Sequence, residues 1–127
     1  MGLPVTYSAA WIGICLGCVA GAIQGLFFHR VDWLGGYNSW PRRMLRLGHI
    51  SLVAIGLINL AFALTMTVLG ITDGIVWPSR LLIAGAVTMP LLCYLSACQD
   101  SFRHLFFIPA LCIIAATAMT AWRILAQ

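Results

Sequence analysis

The chain has 127 residues, of which 62% are hydrophobic and 8% are charged, and its formal net charge is +4. Its mean hydropathy is +1.01. Soluble domains carry about a quarter charged residues, so a surface this apolar would not be stable in water. Spans of about 20 residues cross the hydrocarbon core of a bilayer, and four such spans use most of the chain. The composition therefore predicts one membrane domain over residues 1–127 and leaves no room for a separate soluble catalytic domain.

Four apolar runs follow one another along the chain, separated by short segments that hold the turn signals and nearly every charge. We expect transmembrane helices at about residues 7–29, 41–70, 79–98 and 102–124. Short connections place consecutive helices side by side in opposite directions. The predicted fold is all-α, an integral membrane bundle of four antiparallel helices.

The charged residues predict an orientation. We call the side of the membrane that holds the connection between helices 1 and 2 side A, and the opposite side, with both termini, side B. Side A collects five of the seven arginines, namely Arg30, Arg42, Arg43, Arg46 and Arg103. Cytoplasmic loops are enriched in basic residues, so side A is expected in the cytoplasm and both termini outside it. This is the topology of a multi-pass protein of the bacterial inner membrane or an equivalent membrane.

Glycine recurs at every fourth position of helix 1, at Gly13, Gly17, Gly21 and Gly25. Such a stripe exposes backbone along one helix face, where another helix can approach closely or a flat cofactor can lie. Gly56 on helix 2 belongs to a similar face of small residues. Close helix packing is the simpler interpretation of all five glycines.

The three histidines, His29, His49 and His104, all fall near side A. If helices 2 and 4 lie diagonally across a bundle, His49 and His104 face each other as the two axial ligands of a haem b or a transition metal would. His29 is then an alternative or third ligand. Arg42, Arg46 and Arg103 lie nearby, where they would pair with haem propionates or with lipid head groups. The competing interpretation is that these are interfacial histidines without a ligand.

Other kinds of chemistry find little support in the sequence. None of the four apolar runs contains an Asp, Glu, Lys or Arg in its interior, which argues against an autonomous ion-coupled transporter. No catalytic constellation stands out, so we expect no autonomous enzyme activity. The five cysteines are interpreted as small packing residues. The positive charge is attributed to membrane topology, and no nucleic-acid partner is expected.

Two hypotheses remain. In the first, the chain is a small subunit of a larger membrane complex, respiratory or photosynthetic, in which it takes part in electron transfer and carries a histidine-ligated site on the cytoplasmic side. In the alternative, it is a purely structural or lipid-binding helical subunit with no cofactor. In both, the expected partners are the lipid bilayer and other membrane-protein subunits.

Overall fold

The structure is a computed structural model that describes residues 2–126. It contains four long helices: α1 (Leu3–Gly25), α2 (Trp40–Val68), α3 (Val76–Cys98) and α4 (Phe107–Leu125). A short 3₁₀ turn, Trp33–Gly35, lies in the α1–α2 connection, and a 3₁₀ segment, Asp100–Leu105, precedes α4. All four helical segments are long and apolar enough to cross a membrane. The predicted all-α bundle of four membrane helices is confirmed.

Prolines mark the beginning of every long helix. Pro4, Pro41, Pro78 and Pro109 each occupy one of the first three positions of their helix. Proline is tolerated there because the N–H that it lacks would have no acceptor within the helix. At α2 the Ser39 hydroxyl also caps the helix by accepting a hydrogen bond from the backbone N–H of Arg42, at 3.4 Å. The helix beginnings are thus encoded locally.

The helix bounds differ from the prediction at both ends of α1 and at the beginning of α3. α1 begins at Leu3, since Pro4 fits its first turn, and α-helical bonding ends at Gly25 instead of residue 29. Beyond Gly25 the backbone continues as tighter turns, in which Phe28 N–H donates to Gly25 C=O at 3.4 Å. α3 begins three residues earlier than predicted, at Val76.

The predicted beginning of helix 4 at residue 102 is wrong. α4 begins at Phe107, and the residues before it form the 3₁₀ segment. In an unbroken α-helix from residue 102, the ring of Pro109 would collide with the carbonyl group of Leu105. Pro109 therefore favours a helix that begins near Phe107, but it does not by itself require the break, since α3 continues through Pro90.

Helices α1, α2 and α3 form a core held by polar contacts at both ends. At side B, the hydroxyl groups of Thr6 on α1 and Ser79 on α3 share a buried hydrogen bond of 2.6 Å. At side A, the indole Nε1 of Trp40 on α2 donates to the carbonyl of Ser96 on α3 at 2.9 Å. Between these ends Asn59, fully buried on α2, donates to the backbone of α3 at 3.4 Å. These contacts fix the three helices as antiparallel neighbours.

Helix α4 lies beside this core and makes its substantial helix contacts with α3. Gly85 of α3 leaves room for Ile113, whose Cγ1 would lie 2.7 Å from a Cβ atom added at that glycine. Of the nineteen residues of α4, only Pro109 and Ala116 are buried. The bundle is therefore a three-helix core with a fourth, peripheral helix.

Candidate functional site

His49 lies at the interface between α1 and α2. A Cβ atom added to Gly21 of α1 would come within 3.0 Å of Cδ2 and 3.5 Å of Nε2 of the imidazole, so the ring packs directly on the α1 backbone. The other ring nitrogen, Nδ1, is buried and has no hydrogen-bond partner among the described residues. His49 is thus a packed side chain with one unpartnered polar atom.

Two polar residues from α1 and α3 lie at the same end of the core. The side-chain Nε2 of Gln24 donates to the hydroxyl of Tyr94 at 3.4 Å, while the Oε1 atom of Gln24 is buried and unpartnered within the described chain. The Tyr94 ring lies against Gly48, the residue before His49, with Cζ 2.9 Å from a Cβ atom built there. Gln24, His49 and Tyr94 therefore form a polar layer near side A, contributed by three helices, in which Gln24 is buried and the other two are half-buried.

The other two histidines do not join this layer. His29 lies beyond the end of α1 and is exposed. His104 is also exposed and belongs to the 3₁₀ segment, whereas the sequence placed it in the first turn of helix 4. Within residues 2–126 no three His, Cys, Asp or Glu side chains are grouped as a metal ion would need. The structure keeps His49 in the core and leaves His29 and His104 at the surface.

Of the three arginines assigned to a cofactor or lipid, Arg42 has a different role. Its side chain is only 3% exposed, and its guanidinium donates to the carbonyl groups of Phe28, Arg30 and Val31 at 2.9, 3.3 and 3.4 Å. The guanidinium also lies 5.1 to 5.7 Å from the centres of three aromatic rings, those of Phe28, Trp33 and Tyr37. Arg42 is therefore occupied in fastening the α1–α2 connection to α2 and is not available to a propionate.

Arg46 and Arg103 remain nearer to solvent. Arg46 lies over the ring of Tyr37, 4.1 Å from its centre, and donates to the Tyr37 carbonyl at 3.3 Å. Arg103 is exposed in the 3₁₀ segment. These two arginines can still meet an anionic head group at side A.

The glycine stripe of α1 packs against α2. An added Cβ atom at Gly17 would lie 3.0 Å from the backbone N of Val53 and 3.1 Å from the carbonyl of His49. At Gly56 on α2 the reciprocal contact brings the Ala10 carbonyl to 3.0 Å. Gly13 and Gly21 also face α2, whereas nothing lies within 4 Å of Gly25. The two backbones approach so closely that α2 fills the face on which a flat cofactor would have to lie.

The described residues do not fit a haem between His49 and His104. The imidazole of His49 packs on α1, the glycine face is filled by α2, and Arg42 is engaged with backbone carbonyls. Three grooves on the described surface, of about 430, 260 and 440 Å³, contain no histidine in their walls. The geometry gives the haem hypothesis no support, and we derive no electron-transfer step through this site.

The five cysteines are reduced and dispersed. Cys93 is buried, Cys112 is half-buried, and Cys15, Cys18 and Cys98 are exposed on the helix surfaces. Their placement brings no pair together as a disulfide.

Sequence reasoning missed a groove between α2 and α4. Its walls include Ala61 and Thr65 of α2, together with Thr117 and Ala121 of α4, and its volume is about 260 Å³. Residues four apart lie on one face of a helix, so each wall presents a pair of small side chains. The four-residue spacing is visible in the sequence, but only the packing of α4 on α3 brings the two pairs together. We call this feature the α2–α4 groove.

The threonines of α4 bond within their own helix. The hydroxyl of Thr117 donates to the Ile113 carbonyl at 2.8 Å, and that of Thr120 to the Ala116 carbonyl at 2.7 Å. Each hydroxyl oxygen still has capacity to accept a hydrogen bond. The wall that α4 contributes to the α2–α4 groove therefore combines small or weakly polar residues with the apolar side chain of Ile124.

Comparison of the chain with known protein families, with curated proteins and with solved structures gives no match.

Proposed function

We propose that this protein is a small subunit of a larger membrane complex, and that the α2–α4 groove receives a transmembrane helix of a partner subunit. The observation that carries the proposal is the position of α4. This helix buries only Pro109 and Ala116, and the hydrogen bonds of Thr117 and Thr120 stay within it. α4 packs on α3, and Ala116 joins the core beside Phe62 and Leu82, but a helix with so few buried residues has most of its surface available for a partner.

The walls of the groove suit a helix as the occupant. Lipid tails are as apolar as leucine, so membrane helices associate through close van der Waals packing and interhelical hydrogen bonds. Small residues four apart permit that close approach, and Ala61 with Thr65 and Thr117 with Ala121 supply one such pair on each side. The acceptor capacity of the threonine hydroxyls adds a means of holding a polar residue of the partner.

Leucine substitutions in the groove test the proposal. Thr117→Leu and Ala121→Leu should fill it, while Ala115→Leu adds the same bulk on the opposite side of α4. In native membranes solubilised with a mild detergent, native electrophoresis should show the wild-type chain in an assembly well above its own 13.8 kDa. The two groove variants should shift toward the free chain, and the Ala115→Leu control should not.

Two results would contradict the proposal. One is a wild-type chain that migrates alone in the mild detergent. The other is unchanged assembly in both groove variants. If the chain purified from a foreign host forms the same assembly by itself, the groove is occupied by a second copy of this chain, and the proposal of a different partner subunit is wrong.

Electron transfer and membrane orientation belong to the same proposal. Membership of a respiratory or photosynthetic complex is supported by the four apolar helices and their faces of small residues. Placement of side A in the cytoplasm of a bacterial inner membrane, or an equivalent, rests on its five arginines. Identification of the subunits and cofactors of the isolated native assembly tests the first assignment, and topology labelling tests the second.

A further inference from the structure

A cleft opens at side B between the beginning of α3 and the end of α4. Its volume is about 430 Å³, and it is lined by Gly74, Trp77, Ala118, Met119, Trp122 and Arg123. On α4 these residues lie on the opposite flank from Thr117 and Ala121, which line the α2–α4 groove. The α3–α4 cleft is therefore separate from the surface proposed for a partner helix, and inference about it does not depend on that proposal.

One arginine, Arg123, lines the cleft, and a second, Arg80, lies beside Trp77 of its wall. The guanidinium of Arg123 lies against Gly74, whose backbone has a φ of +69°, a conformation that a residue without a Cβ atom adopts easily. The guanidinium of Arg80 lies over the Trp77 ring, 5.7 Å from its centre. Side B carries one acidic residue, Asp73, against these two arginines. The mouth of the cleft is thus positively charged.

The remaining walls are apolar and lie at the depth of the membrane interface. Trp77 and Trp122 are 63% and 73% exposed at the ends of two spanning helices, where tryptophan is enriched at the level of lipid head groups. Ala118 and Met119 lie on α4 in the preceding turn, further into the membrane. The α3–α4 cleft therefore presents positive charge toward water and an apolar surface toward the bilayer.

We infer that the α3–α4 cleft binds an anionic phospholipid of the leaflet at side B. The phosphate would meet Arg123, and an acyl chain would lie between the tryptophans along Ala118 and Met119. Charge complementarity selects an anionic head group, and the apolar walls select a lipid over a free anion. The volume of the cleft and its two exposed indoles provide room and an interfacial anchor for such a lipid.

Quenching of tryptophan fluorescence by brominated lipids provides a local test. In a Trp11→Phe/Trp33→Phe background, Trp77 and Trp122 report the cleft, and Trp40 reports side A. With the protein in a neutral detergent, brominated phosphatidylglycerol should quench at a concentration about five-fold lower than brominated phosphatidylcholine, as expected for one basic residue at a membrane surface. Arg123→Gln should reduce this ratio to about one. Arg43→Gln, which removes an exposed arginine at side A, should leave it unchanged.

A second variant addresses the apolar part of the cleft. Ala118→Phe keeps every charge but fills the space, so it should weaken quenching by both lipids. Equal quenching by the two lipids in the parent protein, or an unchanged ratio in Arg123→Gln, would overturn the inference. Displacement of brominated phosphatidylglycerol by inorganic phosphate at constant ionic strength would also overturn it, because the site would then recognise the free anion.

Discussion

The guanidinium of Arg42 donates a 2.9 Å hydrogen bond to the carbonyl oxygen of Phe28, joining the beginning of α2 to the chain beyond the end of α1. The carbonyls after a helix end have no partners within the helix, and near a bilayer an unpartnered buried carbonyl is costly. Arg42 donates to the carbonyls of Phe28, Arg30 and Val31 at once, and the Arg30 carbonyl also accepts from the backbone N–H of Trp33 at 3.3 Å. This arginine therefore stabilises the connection that bears most of the basic residues of side A.

Removing Arg42 should destabilise the bundle. We expect Arg42→Ala to lower the free energy of unfolding by about 2–4 kcal/mol, since hydrogen bonds to a charged group contribute about 1.5–3 kcal/mol each and are not additive. Arg43→Ala is the matched control, because Arg43 is exposed and should change stability by less than about 0.5 kcal/mol. Unfolding by titration with a denaturing detergent, followed by circular dichroism, measures both. Equal effects of the two substitutions would contradict the role of Arg42.

The glycines of α1 should differ sharply in their tolerance of alanine. Gly17→Ala would press a methyl group onto the α2 backbone and should cost about 1–3 kcal/mol. Gly25→Ala meets open space and should be neutral or slightly stabilising, since alanine favours a helix. The midpoint of thermal unfolding in detergent distinguishes the two. A similar loss at both positions would show that the glycines act through backbone flexibility and not through close packing.

The hydrogen bond between Thr6 and Ser79 should be measurable as a coupling energy. In a double-mutant cycle with Thr6→Val and Ser79→Ala, we expect the pair to contribute about 0.6 to 1.7 kcal/mol, the range found for hydrogen bonds between membrane helices. The unfolding free energies of the wild type, the two single variants and the double variant give this value. Additive single effects would mean that α1 and α3 do not meet at this point.

The packing of His49 predicts the outcome of redox spectroscopy. Because the ring lies on Gly21 and His104 is exposed, the protein purified alone should show no haem band in a reduced-minus-oxidised spectrum. Metal analysis of the same sample should find no stoichiometric transition metal. A band that disappears in both His49→Ala and His104→Ala would establish the histidine site instead, and would require α4 to pack differently.

Labelling of single cysteines should establish the orientation. In a variant with the five native cysteines replaced by alanine, Asn38→Cys reports side A and Asp73→Cys reports side B. Both native side chains are exposed in the structure. With intact cells, an impermeant maleimide should label position 73, and position 38 should react only after lysis. The reverse pattern would place side A outside, and labelling of both positions from one compartment would contradict the four crossings.

Several features of the fold could be read from neighbouring residues alone. The four spans follow from hydropathy, which depends on local composition and on the thickness of the bilayer. Ser39, which caps α2, and Pro41, which lies in its first turn, are residue types that indicate the beginning of a helix. Pro109 lies in the first turn of α4, but an internal proline such as Pro90 of α3 looks the same in the sequence, and the predicted beginning of α4 is five residues too early. Helix ends were harder to place, because the tighter turns after Gly25 have no comparable signal in the sequence.

The candidate sites required contacts between distant residues. Gln24 and Tyr94 meet across a separation of 70 positions, and nothing near either residue indicates its partner. The groove walls at Ala61 and Thr117 face each other only because α4 packs on α3 and leaves α2 partly open. A closed bundle with α2 and α4 on a diagonal, as assumed from the sequence, would have hidden them.

The sequence by itself determined that this chain crosses a membrane four times, since burial of apolar segments in lipid is decided segment by segment. The tertiary structure alone decided that Arg42 turns inward, that His49 lies on Gly21, and that α4 keeps most of its surface uncovered. Those outcomes depend on which helix faces fit each other in van der Waals contact, and in lipid no difference in hydrophobicity marks the faces in advance.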